Sequence, residues 1–199
     1  TSGSSINLWF SATNVTIAGN SATSSAGGMY FGAFNGSLTN VTICNNQVTG
    51  SGVGGGGLYV ASFGSPMIRN VIIADNSPLS ASDLRGTVNS LGYNLIENAT
   101  ANSITGSTTG NILGRDPRLS VLRDNGGNIK TVSLNATSPA IDAGDLSNFP
   151  TTDARGHARP IDGDLNGSAL PDMGAYERAP EILTVTKTAD TNDGVCDAD

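Results

Sequence analysis

The sequence predicts an all-β chain folded as a parallel β-helix, a solenoid of stacked coils. One short phrase recurs three times, in residues 14–20, 40–46 and 70–76. The copies lie about 26 and 30 residues apart, and self-similarity at such a period is typical of solenoids. No apolar period of the helical kind runs through residues 1–80. Short strands joined by corners at this spacing give coils that stack about 4.8 Å apart.

Each copy of the phrase begins with an asparagine: Asn14, Asn40 or Asn70. Apolar or small residues lie two positions before it and one and three positions after it, so the alternation of a strand changes phase there. The chain must bend at this point, and asparagine suits a corner because it tolerates left-handed backbone angles. We expect the three side chains to stack into an amide ladder along the axis.

A second phrase lies between the copies and carries an aromatic residue at its centre. It reads Leu8-Trp9-Phe10, Met29-Tyr30-Phe31 and Leu58-Tyr59-Val60. The outer members point to one side of a strand and the central residue to the other, so we expect Trp9, Tyr30 and Tyr59 to form one outward-facing file. Such rings cover a sheet by packing on each other, or they stack on sugars in a carbohydrate-binding adhesin. The sequence leaves both interpretations open.

Charge is distributed unevenly along the 199 residues. The first 68 contain no Asp, Glu, Lys or Arg, and the net charge is −7. Nucleic acid requires a basic surface, so it is excluded as a partner, and no apolar run predicts membrane insertion. A polysaccharide lyase or glycosidase needs clustered acids and a basic residue, which the central coils lack. Asp83 and Glu97 on later coils belong to no catalytic motif, and we expect a protein that is not an enzyme.

The repeat weakens after about residue 80. Residues 91–98 keep an apolar pair and a closing asparagine, so we interpret residues 1–98 as about four coils. Residues 99–115 form a polar transition, and the composition changes again at residue 116. We expect residues 116–179 to form a β-rich cap and residues 180–199 to form a linking strand and an acidic tail.

Three motifs follow one another in the predicted cap. They are Asp-Asn-Gly-Gly at 124–127, Ser-Pro-Ala-Ile-Asp-Ala-Gly at 138–144 and Asp-Met-Gly-Ala-Tyr-Glu at 172–177. With them, residues 116–177 resemble the choice-of-anchor Q domain, a module of bacterial secreted and surface proteins that follows right-handed parallel β-helix repeats. Residues 190–197 are similar to the opening of a CSLREA module. The resemblance implies a right-handed parallel β-helix, an extracellular or bacterial cell-surface location and no established catalytic residues.

The predicted cap contains a candidate calcium site. Its ligands would be oxygen-bearing side chains in a loop that resembles the first half of an EF-hand, and they are Asp162, Asp164, Asn166, Ser168 and Asp172. The usual glutamate is missing and no helix is expected on either side, so a simple turn is the alternative. Arg155 and Arg159 lie among several aspartates, and we expect them to form ion pairs that hold the cap together.

These features predict a secreted or cell-surface structural module without catalytic activity. A carbohydrate-binding adhesin that contacts cell-surface glycans is the first alternative, and a polysaccharide lyase or glycosidase is the second. The alternating tail predicts self-association, head to tail in a filament or through tandem modules. The tail residues concerned are Ile182, Leu183, Val185 and Cys196. Cys196 would lock that contact by a disulfide, with Cys44 as one candidate partner.

Overall fold

A computed structural model gives the fold of the chain. It describes residues 8–32, 34–50, 55–62, 64–77, 83–99 and 103–180. The described residues are all-β: they form short strands and contain no helix, and hence none that could cross a membrane.

Fifteen strands occur in the described residues. In chain order they are β1 (Trp9–Thr13), β2 (Thr16–Ala18), β3 (Ser21–Ala22), β4 (Met29–Phe31), β5 (Asn35–Thr39), β6 (Thr42–Cys44), β7 (Gln47–Val48), β8 (Leu58–Val60), β9 (Met67–Arg69), β10 (Ile72–Ala74), β11 (Leu84–Arg85), β12 (Val88–Leu91), β13 (Leu95–Ile96), β14 (Ile104–Ser107) and β15 (Ile112–Leu113). Every pairing between them is parallel.

The strands form four sheets that share the repeats of the sequence. Sheet 1 has the order β1-β5-β9-β12-β14, and sheet 2 has the order β2-β6-β10-β13-β15. Sheet 3 consists of β4, β8 and β11, and sheet 4 consists of β3 and β7. Each repeat therefore adds one strand to sheet 1 and one to sheet 2. Residues 104–113 add a fifth strand to both, so the repeats extend beyond residue 98 into the segment expected to be a transition.

The inner core lies between the sheets and is made by equivalent positions of successive repeats. In sheet 2, Ile17 is aligned with Ile43 and Ile43 with Ile73. Leu38 and Ile68 are aligned in the same way in sheet 1, and both are fully buried. Like residues stack on like because the register is the same at every step, and buried apolar surface stabilises the fold by roughly 25 cal/mol per Å².

The corner asparagines adopt the predicted conformation. Asn14, Asn40 and Asn70 have φ angles of 56°, 51° and 52° and lie between the sheet 1 and sheet 2 strands of their repeats. The expected ladder is only half formed. Asn70 Nδ2 donates to Asn40 Oδ1 at 3.1 Å, whereas Asn14 Nδ2 donates to the carbonyl of Thr152 at 2.7 Å. Asn14 therefore bonds to a carbonyl from the later part of the chain instead of extending the ladder to Asn40.

The C-terminal segment, residues 114–180, is not β-rich, so that expectation was wrong. Its only bridges are isolated antiparallel ones, such as Leu119 with Leu134 and Arg123 with Thr131. Asp, Asn, Gly and Pro are frequent here, and their side chains and backbone angles favour turns over strands. Side-chain hydrogen bonds and ion pairs hold this backbone in place of a sheet ladder.

The C-terminal segment lies against the face of sheet 2 that points away from the inner core. Ile72 and Leu95 on this face pack with Leu134, Ala140 and Met173. The amide of Gly174 donates to the carbonyl of Asn70 at 2.7 Å, and Asn40 Nδ2 donates to the carbonyls of Asp172 and Gly174 at 3.2 Å. The central strands of sheet 2, β6, β10 and β13, are therefore buried on both faces.

Candidate functional site

Sheet 3 carries a partly exposed surface of two tyrosines and one arginine on neighbouring strands, the tyrosine–arginine surface of Tyr30, Tyr59 and Arg85. Tyr30 is aligned with Tyr59, and Tyr59 with Arg85. The tyrosine ring centroids lie 5.4 Å apart, and the Arg85 guanidinium carbon lies 5.7 Å from the centroid of Tyr59. Tyr30 is 49% exposed.

Trp9 does not belong to this file, contrary to the sequence-based prediction. It lies on β1 in sheet 1, where it is aligned with Asn35, and it is 59% exposed. The phrase around Trp9 precedes the first corner asparagine directly, whereas the phrases around Tyr30 and Tyr59 end their repeats. Arg85 occupies the position in the file that was expected for a third aromatic residue. The leucine before it was the available sequence signal, because Leu84 is aligned with Leu58.

A cleft of about 430 Å³ adjoins this surface. Its walls include Tyr59, Val60, Arg85, Gly86 and Thr87. Gly86 has a φ of 89°, and a Cβ there would collide with the carbonyl oxygen of Val60. Glycine thus allows the backbones of two repeats to approach closely at the base of the cleft.

A buried amide ladder that the sequence analysis missed runs through a second set of asparagines. Asn20 Nδ2 donates to Asn46 Oδ1 at 3.0 Å, Asn46 Nδ2 to Asn76 Oδ1 at 3.0 Å, and Asn76 Nδ2 to Asp83 Oδ1 at 2.8 Å. The same oxygens accept the backbone amides of Asn20, Asn46 and Asn76. These asparagines lie six positions after the corner asparagines, and that regular spacing was the available signal.

Asp83, one of the acids considered for catalysis, ends this ladder. It is buried, and its second oxygen accepts the amide of Asn98 at 3.0 Å. Burial raises the pKa of Asp83 to about 6, although the hydrogen bonds from Asn76 oppose the rise. Its carboxylate is a hydrogen-bond acceptor inside the fold.

Glu97, the other acid considered, belongs to a different group. Its carboxylate lies within 4.8 Å of those of Asp75 and Asp116, and Glu97 Oε2 accepts the amide of Asp75 at 3.0 Å. Burial raises the pKa of Asp75, and the charges of Glu97 and Asp116 add to the effect. The structure does not pair Glu97 with a basic residue, because the three ion pairs of the described residues lie elsewhere.

The candidate calcium loop contains an acidic cluster whose members differ from the prediction. The carboxylates of Asp142, Asp162 and Asp164 lie within 4.8 Å of one another. Such oxygen ligands fit a hard cation. Asn166 and Ser168 stay in the loop, where Asn166 Nδ2 donates to Asp164 at 3.0 Å and Asn166 Oδ1 accepts the amide of Ser168 at 2.9 Å.

Asp172 is not part of the cluster, although the sequence placed it among the calcium ligands. It is fully buried, and its oxygens accept the amides of Asp142 and Arg178 at 2.8 and 2.6 Å. Burial, reinforced by the charge of Glu177, raises the pKa of Asp172 to about 8. Asp142 is the third member of the cluster instead. It lies twenty residues before the loop, so the loop motif does not include it.

Ion pairs hold the C-terminal segment, as expected for Arg155 and Arg159. Arg155 pairs with Asp153 at 2.7 Å, and its guanidinium carbon lies 3.7 Å from the ring centroid of Tyr176. Arg159 pairs with Glu177 at 2.7 Å, and both side chains are fully buried. Glu177 was not among the expected partners because eighteen residues separate it from Arg159.

Arg159 also fixes the backbone of the segment. Its Nη1 donates to the carbonyl of Asp172 at 2.9 Å, and its Nη2 donates to that of Gly174 at 2.8 Å. Nearer the repeats, Arg69 pairs with Asp145, whose amide donates to Asn70 Oδ1 at 2.8 Å. Most charged groups here therefore act as structural links.

Cys44 lies on β6 between Ala18 and Ala74 and is fully buried. Burial raises the pKa of its thiol to about 12, which disfavours the reactive thiolate. Ile182, Leu183, Val185 and Cys196, to which self-association was assigned, lie outside the described residues. The disulfide between Cys44 and Cys196 stays a prediction, and it would require access to a buried thiol.

Comparison with known proteins does not assign the chain to a family. No protein-family model matches it, and neither the curated proteins nor the solved structures contain a significant match. The similarity of residues 116–177 to the choice-of-anchor Q domain therefore stays a prediction from the motifs.

Proposed function

We propose that this chain is a structural module of a secreted or cell-surface protein: a right-handed parallel β-helix fastened along one side by its C-terminal segment, with no catalytic activity. The observation that carries the proposal is the structural use of its charged groups. Arg69, Arg155 and Arg159 are each ion-paired. Asp83 ends a ladder of buried amides.

Repeated register supports assembly end to end. Each strand of sheets 1 and 2 receives the next one in the same parallel alignment, and in the described residues β14 and β15 are paired on one side only. A strand of another module could pair with the free edges of β14 and β15 in the same way that β14 and β15 pair with the strands before them. The module thus forms part of a head-to-tail filament or a tandem surface array, to which the tail with Ile182 and Val185 contributes a strand.

Electron microscopy and sedimentation of the full chain test this assembly. We expect filaments that are lost in Val185→Asp, because a charge would be placed on the apolar side of the tail. Thr186→Asp introduces the same charge on the other side and should leave filaments intact. Monodisperse monomers of the unmodified chain at low salt would contradict the proposal.

The absence of catalysis is tested with acidic and neutral polysaccharides. We expect no release of reducing or unsaturated ends. Turnover that disappears in Asp83→Asn or Glu97→Gln, while both variants remain folded, would instead establish a lyase or hydrolase.

Calcium binding at Asp142, Asp162 and Asp164 is part of the proposal, with Asn166 as a further oxygen ligand. The bound ion would neutralise neighbouring carboxylates and stabilise the C-terminal segment. We expect calcium to raise the melting temperature and a chelator to lower it, with both effects reduced in Asp162→Asn. Asp124→Asn removes an exposed charge of the same segment as a control. A melting temperature that neither treatment changes would refute calcium binding.

A further inference from the structure

The tyrosine–arginine surface combines two aromatic rings, a cleft and a cation that has no carboxylate partner among the described residues. Three arginines of the described residues are ion-paired, whereas no carboxylate of those residues lies within ion-pairing distance of Arg85. The neighbour of Arg85 is the ring of Tyr59. None of the described residues that line the adjoining cleft is acidic. A chain of net charge −7 thus keeps an uncompensated cation beside a cleft.

The tyrosines provide apolar area next to this cation. Tyr30 and Tyr59 lie on neighbouring strands, and their rings are tilted by 55° rather than stacked flat. Tyr30 is half exposed and Tyr59 partly exposed, so both side chains keep some apolar surface in contact with solvent. Aromatic rings bury apolar surface and keep a polar hydroxyl at the edge, which suits ligands with both apolar faces and hydroxyl groups.

The cleft supplies the space and the polar groups. Its volume of about 430 Å³ lies within the range of small-ligand sites. Ser62 and Thr87 in its wall carry hydroxyl groups. The guanidinium of Arg85 has a planar fork of donors that matches a carboxylate. A ligand that satisfies all these groups has apolar ring faces, hydroxyl groups and a negative charge.

We propose that this surface and its cleft bind an acidic oligosaccharide in which sugar rings carry carboxylates. Tyr30 and Tyr59 contact the apolar faces of the sugars, and Arg85 forms a bidentate pair with a uronate carboxylate. The proposal does not depend on assembly into filaments, because it involves side chains of sheet 3 and not the backbone edges of β14 and β15.

Isothermal titration of the full chain with uronic acid hexasaccharides tests the site, with neutral hexasaccharides of equal length as the comparison. We expect the acidic ligand to bind more tightly, with an affinity that falls as salt is added. Arg85→Gln should weaken binding at least tenfold and remove most of the salt dependence. Tyr30→Ala should weaken binding several-fold. Because its ring is half exposed, we expect the midpoint of urea denaturation to stay unchanged.

Two variants control for nonspecific effects. Arg115→Gln removes an exposed arginine outside the surface, and Trp9→Ala removes an exposed aromatic ring on sheet 1. Both should change the affinity by less than twofold. The proposal is overturned if no acidic hexasaccharide binds, if neutral ligands bind equally well, or if Arg85→Gln weakens binding no more than Arg115→Gln does.

Discussion

The buried amide ladder makes Asn46 a sensitive point of the fold. Asn46 is fully buried and lies in the middle of the ladder. Its Oδ1 accepts the amide and side chain of Asn20, and its Nδ2 donates to the carbonyl of Ile17 at 2.9 Å and to Asn76 at 3.0 Å. Asn46→Ala would leave the carbonyl of Ile17 and the amide of Asn20 without these partners.

The expected cost follows from the groups that lose their bonds. A buried polar group left unsatisfied costs about 1–3 kcal/mol, and these two groups are only partly buried, so together they should reduce the free energy of unfolding by roughly 2–4 kcal/mol. This is a large share of the roughly 5–15 kcal/mol typical of a domain. Urea denaturation, followed by circular dichroism, measures the change.

Asn20→Ala is the matched control, because it removes the same side chain at the exposed end of the ladder. Asn20 donates only one side-chain bond there, and its loss should cost about 1 kcal/mol or less. Equal costs for the two variants would refute the reasoning, since they would show that the buried bonds add nothing beyond the exposed one.

Three further predictions concern charge and backbone. Because burial raises the pKa of Asp83 from 3.8 to about 6, the folded state holds this proton more tightly than the unfolded state does. The free energy of unfolding should therefore fall as pH rises from about 4 to 6, and equal pH profiles for Asp83→Asn and the unmodified chain would contradict this. Arg159→Met should lower the free energy of unfolding, measured by urea denaturation, by about 3–5 kcal/mol, because it leaves the Glu177 carboxylate buried without its partner. Adding Glu177→Gln should recover part of this loss of stability. No recovery in the double variant would argue against a charge effect. Gly174→Ala should increase hydrogen exchange in the C-terminal segment, since φ is 84° and a Cβ would lie 2.5 Å from Thr42 Oγ1. Unchanged hydrogen exchange in that segment would disprove this prediction.

The repeats were predictable because their signal is local. The change of phase at Asn14, Asn40 and Asn70 predicts a corner, asparagine tolerates left-handed backbone angles there, and those angles are present. The parallel sheets follow, because copies with one pattern stack in one register. The third copy also contained an unused signal: Ile72 replaces Thr42, which makes both faces of the strand apolar and indicates a covered sheet.

The errors arose where distant segments meet. The motif of the calcium loop suggested Asp172, but the fold uses that carboxylate for backbone amides and brings Asp142 to the loop instead. Trp9 was placed in the aromatic file because its phrase looks like those of Tyr30 and Tyr59. Spacing within a phrase does not reveal which sheet the phrase joins, and that depends on its position relative to the corner.

The C-terminal segment has a consequence for how the chain is made. Gly174 bonds to Asn70, and Met173 covers Ile72, about one hundred residues earlier in the chain. At synthesis rates of about 5–20 residues per second, Ile72 waits roughly 5–20 s for its cover. During that interval a growing chain carries an uncovered apolar sheet. Translation must therefore tolerate, or shield, the uncovered face of sheet 2 until residues 114–180 have been synthesised.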